Sequence, residues 1–72
     1  MEKYNYSKLI GKIKEFKYTQ KQFAQKIGIS ECSLNLALNN KRNFRQDEIT
    51  RAANELGLKS HEIETYFFTH EV

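Results

Sequence analysis

Seventy-two residues set the scale of one domain and leave no room for a second. With 39 % apolar residues, 29 % charged residues and no proline, the composition is that of a small globular chain suited to helices, and no apolar run approaches the roughly 18 residues that would cross a bilayer. A single cysteine, Cys32, excludes an intrachain disulfide and a cysteine-based metal site, and the net charge of +3 is modest.

That net charge hides an asymmetry. Residues 1–45 hold ten Lys/Arg against three Asp/Glu, a balance of +7, whereas residues 46–72 hold two against six, a balance of −4. The N-terminal part is suited to a phosphate-bearing partner and the C-terminal part is not. The polar start of the chain does not read as a secretion signal, so the protein is expected in the cytoplasm of a bacterial host cell.

In chain order, residues 1–6 read as an extended lead-in whose Tyr4 and Tyr6 pack on the domain or meet a partner. A first helix is predicted over residues 7–16, with Leu9, Ile10, Ile13 and Phe16 as its buried stripe. Residues 19–42 are the organising stretch. Thr19 and Gln22 form the T-x-x-Q pattern of a capping box at the start of a second helix, residues 20–27, whose Phe23, Ala24 and Ile27 share one face. Gly28 stands where a left-handed helix end is wanted, Ile29 turns back to the core, and Ser30 caps a third helix over residues 31–39. Leu34, Ala37 and Leu38 supply its inner face; Cys32, Asn35, Leu36 and Asn39 fall opposite. A helix, a short Gly-containing turn and a second capped helix make the helix-turn-helix pattern.

Downstream, Asn40 is suited to a left-handed conformation and Phe44 anchors its loop. A fourth helix is predicted over residues 46–56, with Asp47 and Glu48 in its first turn, Ile49, Ala52, Ala53 and Leu56 facing inward, and Gly57 at its end. Ser60 is expected to cap a fifth helix over residues 61–67. Tyr66, Phe67 and Phe68 cannot all point inward from one helix, so Phe68 is expected to be partly exposed, against a second copy of the chain or against Tyr4 and Tyr6.

The run Gln-x-x-Phe-Ala-x-x-x-Gly-Ile-Ser, with Leu34 and Lys41-Arg42 after it, resembles the Cro/repressor family of phage helix-turn-helix regulators over residues 7–58. The ending Glu-Ile-Glu-Thr-Tyr-Phe-Phe-Thr resembles small lysis–lysogeny switch proteins of temperate phages of Gram-positive bacteria, a group that includes Cro-like repressors and antirepressors of the modulator-of-repression kind. The resemblance implies an all-α fold of five short helices in the Cro/repressor helix-turn-helix arrangement. It implies phosphate contacts from Gln20 and neighbouring Lys21 at the start of the second helix, and from Lys41, Arg42 and Arg45 in the loop after the third. It also implies a dimer contact through the C-terminal helix.

Two functions stay open on the third helix. As a recognition helix it would enter the major groove of an operator in double-stranded DNA, with Asn35 and Asn39 reading adenine, Ser33 reaching a base or phosphate, Glu31 accepting from cytosine, Cys32 or Leu36 touching a thymine methyl, and the capping Ser30 among the contact residues. Yet no Lys or Arg lies between Ser30 and Asn40, and Leu36 sits at the centre of the outward face. The alternative is an antirepressor that binds the cognate phage repressor protein through the surface of the second and third helices. No Gly-rich phosphate loop, H-x-x-x-H, C-x-x-C or nucleophile–base pair occurs, and His61 and His70 are far apart, so neither catalysis, a cofactor nor a metal is expected.

Overall fold

In the computed structural model, which describes residues 3–71, five helices follow one another: α1 (Ser7–Glu15), α2 (Gln20–Lys26), α3 (Glu31–Leu38), α4 (Gln46–Leu56) and α5 (Ser60–Phe67). No strand occurs among the described residues, and an isolated antiparallel bridge joins Tyr4 to His70. The fold is all-α with five short helices. Met1 and Glu2 of the expected lead-in lie outside the described residues. None of these helices is long and apolar enough to cross a membrane.

The core takes side chains from every helix: Leu9 and Ile13 from α1, Phe23 and Ala24 from α2, Leu34 from α3, Ala52 and Leu56 from α4, and Phe67 from α5, with Ile27 just beyond α2. Tyr6 joins it from the lead-in. Its ring meets Phe44 edge-on at 5.4 Å between centroids, and Phe44 meets Phe67 edge-on at 5.3 Å. These T-shaped contacts bring the positive edge of one ring to the negative face of the next. They tie the lead-in, the α3–α4 loop and α5 together, so Phe44 anchors its loop as expected.

Four of the five helices end in the same way. After α1, α2, α3 and α4 one residue adopts left-handed φ: Lys17 (61°), Gly28 (75°), Asn40 (60°) and Gly57 (67°). The amide after each bonds back to a carbonyl five residues earlier: Tyr18 to Ile13, Ile29 to Ala24, Lys41 to Leu36 and Leu58 to Ala53. This Schellman turn satisfies carbonyls that the helix leaves without partners.

The structure departs from the sequence expectations at three places. Phe16 and Ile10 are exposed rather than buried. α1 ends before Phe16, and its seam is the narrower pair Leu9 and Ile13. Ser60 is the first residue of α5 and not its cap; Lys59 takes that position, and its N–H donates to the Glu62 carboxylate at 2.9 Å. Phe68 is partly exposed, as expected, and one side of its ring is taken by Tyr4, edge-on at 5.7 Å. That contact is the intrachain one of the two alternatives.

Candidate binding surface

The α2–α3 pair is held by its own local chemistry. The Thr19 hydroxyl accepts from the Gln22 N–H at 3.1 Å, while the Gln22 side-chain oxygen Oε1 accepts from the Thr19 N–H at 2.9 Å, so the capping box closes both ways. Gly28 turns the chain, and a Cβ added there would lie 3.0 Å from the Arg51 guanidinium, which donates to the Ile27 carbonyl at 2.7 Å. The Ser30 hydroxyl accepts from the Ser33 N–H at 3.0 Å and starts α3. Each device except the Arg51 contact is legible in the sequence.

The outward face of α3 is built as the helical spacing requires. Leu34 and Ala37 are buried, and Glu31, Cys32, Asn35, Leu36 and Asn39 are exposed. Leu36 keeps 41 % of its surface open to solvent. The Asn39 amide donates to the Asn35 carbonyl at 2.8 Å, which turns that side chain back onto its own helix. Ser33 is half-buried, and its carbonyl accepts from Arg42.

Gln20, Asn35 and Asn39 come together at a groove of about 380 Å³ between α1, the start of α2 and α3. Ile10 and Leu38 give it an apolar lining, and Lys14 adds the one charge among its lining residues. Sequence reasoning places Ile10 in the buried stripe of the first helix and names neither Ile10 nor Lys14 as a site residue. The exposure of Ile10, at the margin of the α1 stripe, is the feature that makes this groove apolar. Lys21 and Lys41 are exposed outside it and take part in no salt bridge among the described residues.

Arg42 is placed differently from the free phosphate contact expected of it. Its guanidinium grips the Glu48 carboxylate at 2.9 and 3.2 Å, and it also donates to the Ser33 and Asn43 carbonyls. Glu48 is 4 % exposed and also accepts from the Arg45 N–H at 2.8 Å. Burial works to raise its pKa, but the bonds from Arg42 and Arg45 and the Arg42 charge outweigh that and hold the carboxyl below its ordinary range. Arg42 is therefore a fastener between α3 and α4. Arg45 remains largely in solvent, with its guanidinium 3.3 Å from Asp47.

Among solved structures, the solution structure of the modulator of repression of the temperate bacteriophage TP901-1 from Lactococcus lactis is similar to this one. It is 43 % identical, with a TM-score of 0.78, over 96 % of this chain and 93 % of that one. No curated protein matches. The model of a family described as proteins of unknown function, DUF739, matches residues 2–70, a range that holds all five helices, and the chain belongs to that family.

Proposed function

We propose that this protein is a modulator of repression in a temperate-phage lysis–lysogeny switch, acting by binding the cognate phage repressor. The observation that carries this reading is the 43 % identity to the modulator of repression of phage TP901-1 across 96 % of the chain. The α3 surface supports it. We read the α2–turn–α3 pair, with its capping box, left-handed Gly28 and Ser30 cap, as a helix-turn-helix. However, its outward face offers Leu36, Cys32 and amides, together with Glu31 and no cation. Such a face suits a small, mostly uncharged protein contact better than a wall of phosphates. The groove beside it, lined by Ile10, Leu38, Asn35 and Asn39, gives an anchor side chain from the repressor a place to enter.

A second reading, autonomous operator binding by α3, draws support from the exposed Lys21 and Lys41 at its margins, which take part in no salt bridge among the described residues. The substitution Leu36→Arg separates the two. It should weaken capture of the cognate repressor at least about 30-fold, roughly 2 kcal/mol, because it puts an unpaired charge at the centre of a desolvated contact. If α3 reads DNA, the same change strengthens non-specific duplex binding by adding a phosphate partner. Isothermal titration against the repressor and a duplex-binding salt series read both. An unchanged repressor affinity would sink the α3 contact.

A further inference from the structure

The α1–α2 end of the molecule carries a second surface. Phe16 closes α1 with 43 % of its surface exposed. It opens onto a shallow hollow of about 550 Å³ beside the solvent side of α2, which Lys17, Tyr18, Gln22, Gln25 and Lys26 also line. The Lys12 ammonium sits 5.8 Å from the Phe16 ring centroid, a cation–π contact over one face of the ring. Lys12, Lys17 and Lys26 take part in no salt bridge among the described residues, and no carboxylate lines the hollow. Glu15 stands beside Phe16 in the chain, and Glu55 accepts from the Tyr18 hydroxyl at 2.6 Å.

Lys17 adds an independent observation. Of the four left-handed helix ends, two use Gly and one uses Asn, the residues that tolerate that conformation best. Only the first uses a long cationic side chain, at a conformational cost glycine would avoid. A side chain held in a disfavoured backbone region at the rim of a hollow that exposes an aromatic ring is a feature of a contact site.

We infer that this hollow docks an acidic amphipathic helix of a partner protein, its apolar anchors on Phe16 and its carboxylates on Lys12, Lys17 and Lys26. Charge complementarity selects an anionic occupant. The exposed ring selects one with an apolar stripe as well, the mode in which a helix lays spaced anchors into a groove. Duplex DNA would offer phosphates but nothing for Phe16. A single strand would stack bases on the ring, where Lys12 already covers one face.

The test is a titration of the ¹⁵N-labelled full-length protein, followed by amide shifts, with three probes. The first is a 16-residue helical peptide with Leu at i, i+3, i+4 and i+7 and Glu elsewhere on its flanks. The second is the same peptide with every Leu replaced by Gln. The third is a 20-residue oligothymidine. The expected result is saturable shifts at Phe16, Lys17, Gln22, Gln25 and Lys26 with the first probe, and at least tenfold weaker binding by the second. Phe16→Gln and Lys17→Glu should each lower affinity for the first probe by about tenfold; both positions are exposed, so the fold should survive, and the dispersion of the amide spectrum reports that it does. Absence of shifts at the hollow with the first probe would overturn the proposal. Equal binding by the Gln peptide would also overturn it, as charge attraction alone. Tighter binding of oligothymidine would reassign the hollow to nucleic acid. Each of these results leaves the α3 contact with a repressor standing, because that contact is centred on Leu36, which does not line the hollow, and is read with Leu36→Arg.

Discussion

The loops that leave α1 and α3 share one backbone turn and use their cations in opposite ways. After α3, Arg42 folds inward, its guanidinium taken up by Glu48 and two carbonyls. After α1, Lys17 points its charge at solvent, with Lys12 and Lys26 nearby and no carboxylate in reach of a salt bridge. The division runs through the described residues: Arg42, Arg45 and Arg51 all pair with acids, and no lysine does. Guanidinium, planar and weakly hydrated, suits a buried fork; ammonium, compact and strongly hydrated, stays in water until a partner arrives. The lesson is that a positive balance counted along the chain overstates the charge available to a partner, because part of it closes the fold.

The largest effect is expected at the closed loop. Arg42→Ala leaves Glu48 buried without its cation and should cost about 3 kcal/mol in urea unfolding. Arg42→Met with Glu48→Leu should recover most of it, since an apolar pair of similar volume carries no desolvation penalty. A loss below about 1 kcal/mol would mean that Glu48 simply rehydrates, and the contrast between the two loops would dissolve. Next comes acid. The Glu48 pKa is lowered in the folded state, so its contribution is complete above the unfolded value of about 4.3 and is lost as pH falls through the folded one. Stability of the wild type should therefore fall more steeply below about pH 4.5 than that of Glu48→Gln, measured by denaturant midpoint at each pH. Parallel profiles would show that the carboxylate is not held by Arg42. The smallest effect has the opposite sign. Lys17→Gly removes a side chain from a left-handed position, an energy of about 1–2 kcal/mol, less the extra chain entropy of glycine, about 0.4–1 kcal/mol. A net gain near 0.5 kcal/mol should raise the melting temperature by about 2–4 °C, while binding of the acidic helical peptide falls. A variant that is more stable and binds equally well would leave Lys17 without a purpose at that site.

The local devices were legible because they depend on neighbours in the chain. Thr19 with Gln22, Ser30 before α3, Gly28 and Gly57 after their helices, and the bounds of α4 all follow from spacings of four residues or fewer. The outward face of α3 followed from the same periodicity. What could not be read depends on which neighbour covers what. Ile10 and Phe16 belong to a stripe wider than the one the other helices cover, so an apolar residue at good spacing still ends in solvent. Glu48 looked like a first-turn carboxylate facing the helix dipole; its burial depends on Arg42, six residues earlier and across a loop. Ser60 has the chemistry of a cap, but Glu62 reaches back to Lys59 and moves the start of α5 by one residue. Asn40 carried more than its left-handed turn. Its side chain accepts from the Tyr4 N–H at 2.9 Å and donates to the Tyr4 carbonyl at 3.0 Å, a fastening between residues 36 apart that no local pattern shows.

Arg51 gives the α3 surface a kinetic character. Its guanidinium bridges Asp47 on its own helix and the Ile27 carbonyl, so α4 reaches across to fix the turn between α2 and α3. A hairpin of seven- and eight-residue helices would fray by itself. Fastened in this way, it presents Leu36 and its neighbours already in place, and little freedom is left to lose at the moment of association. Encounter then becomes a near rigid-body docking, with little conformational delay. Under the proposed role in a temperate-phage switch, that favours a fast response to small changes in partner concentration.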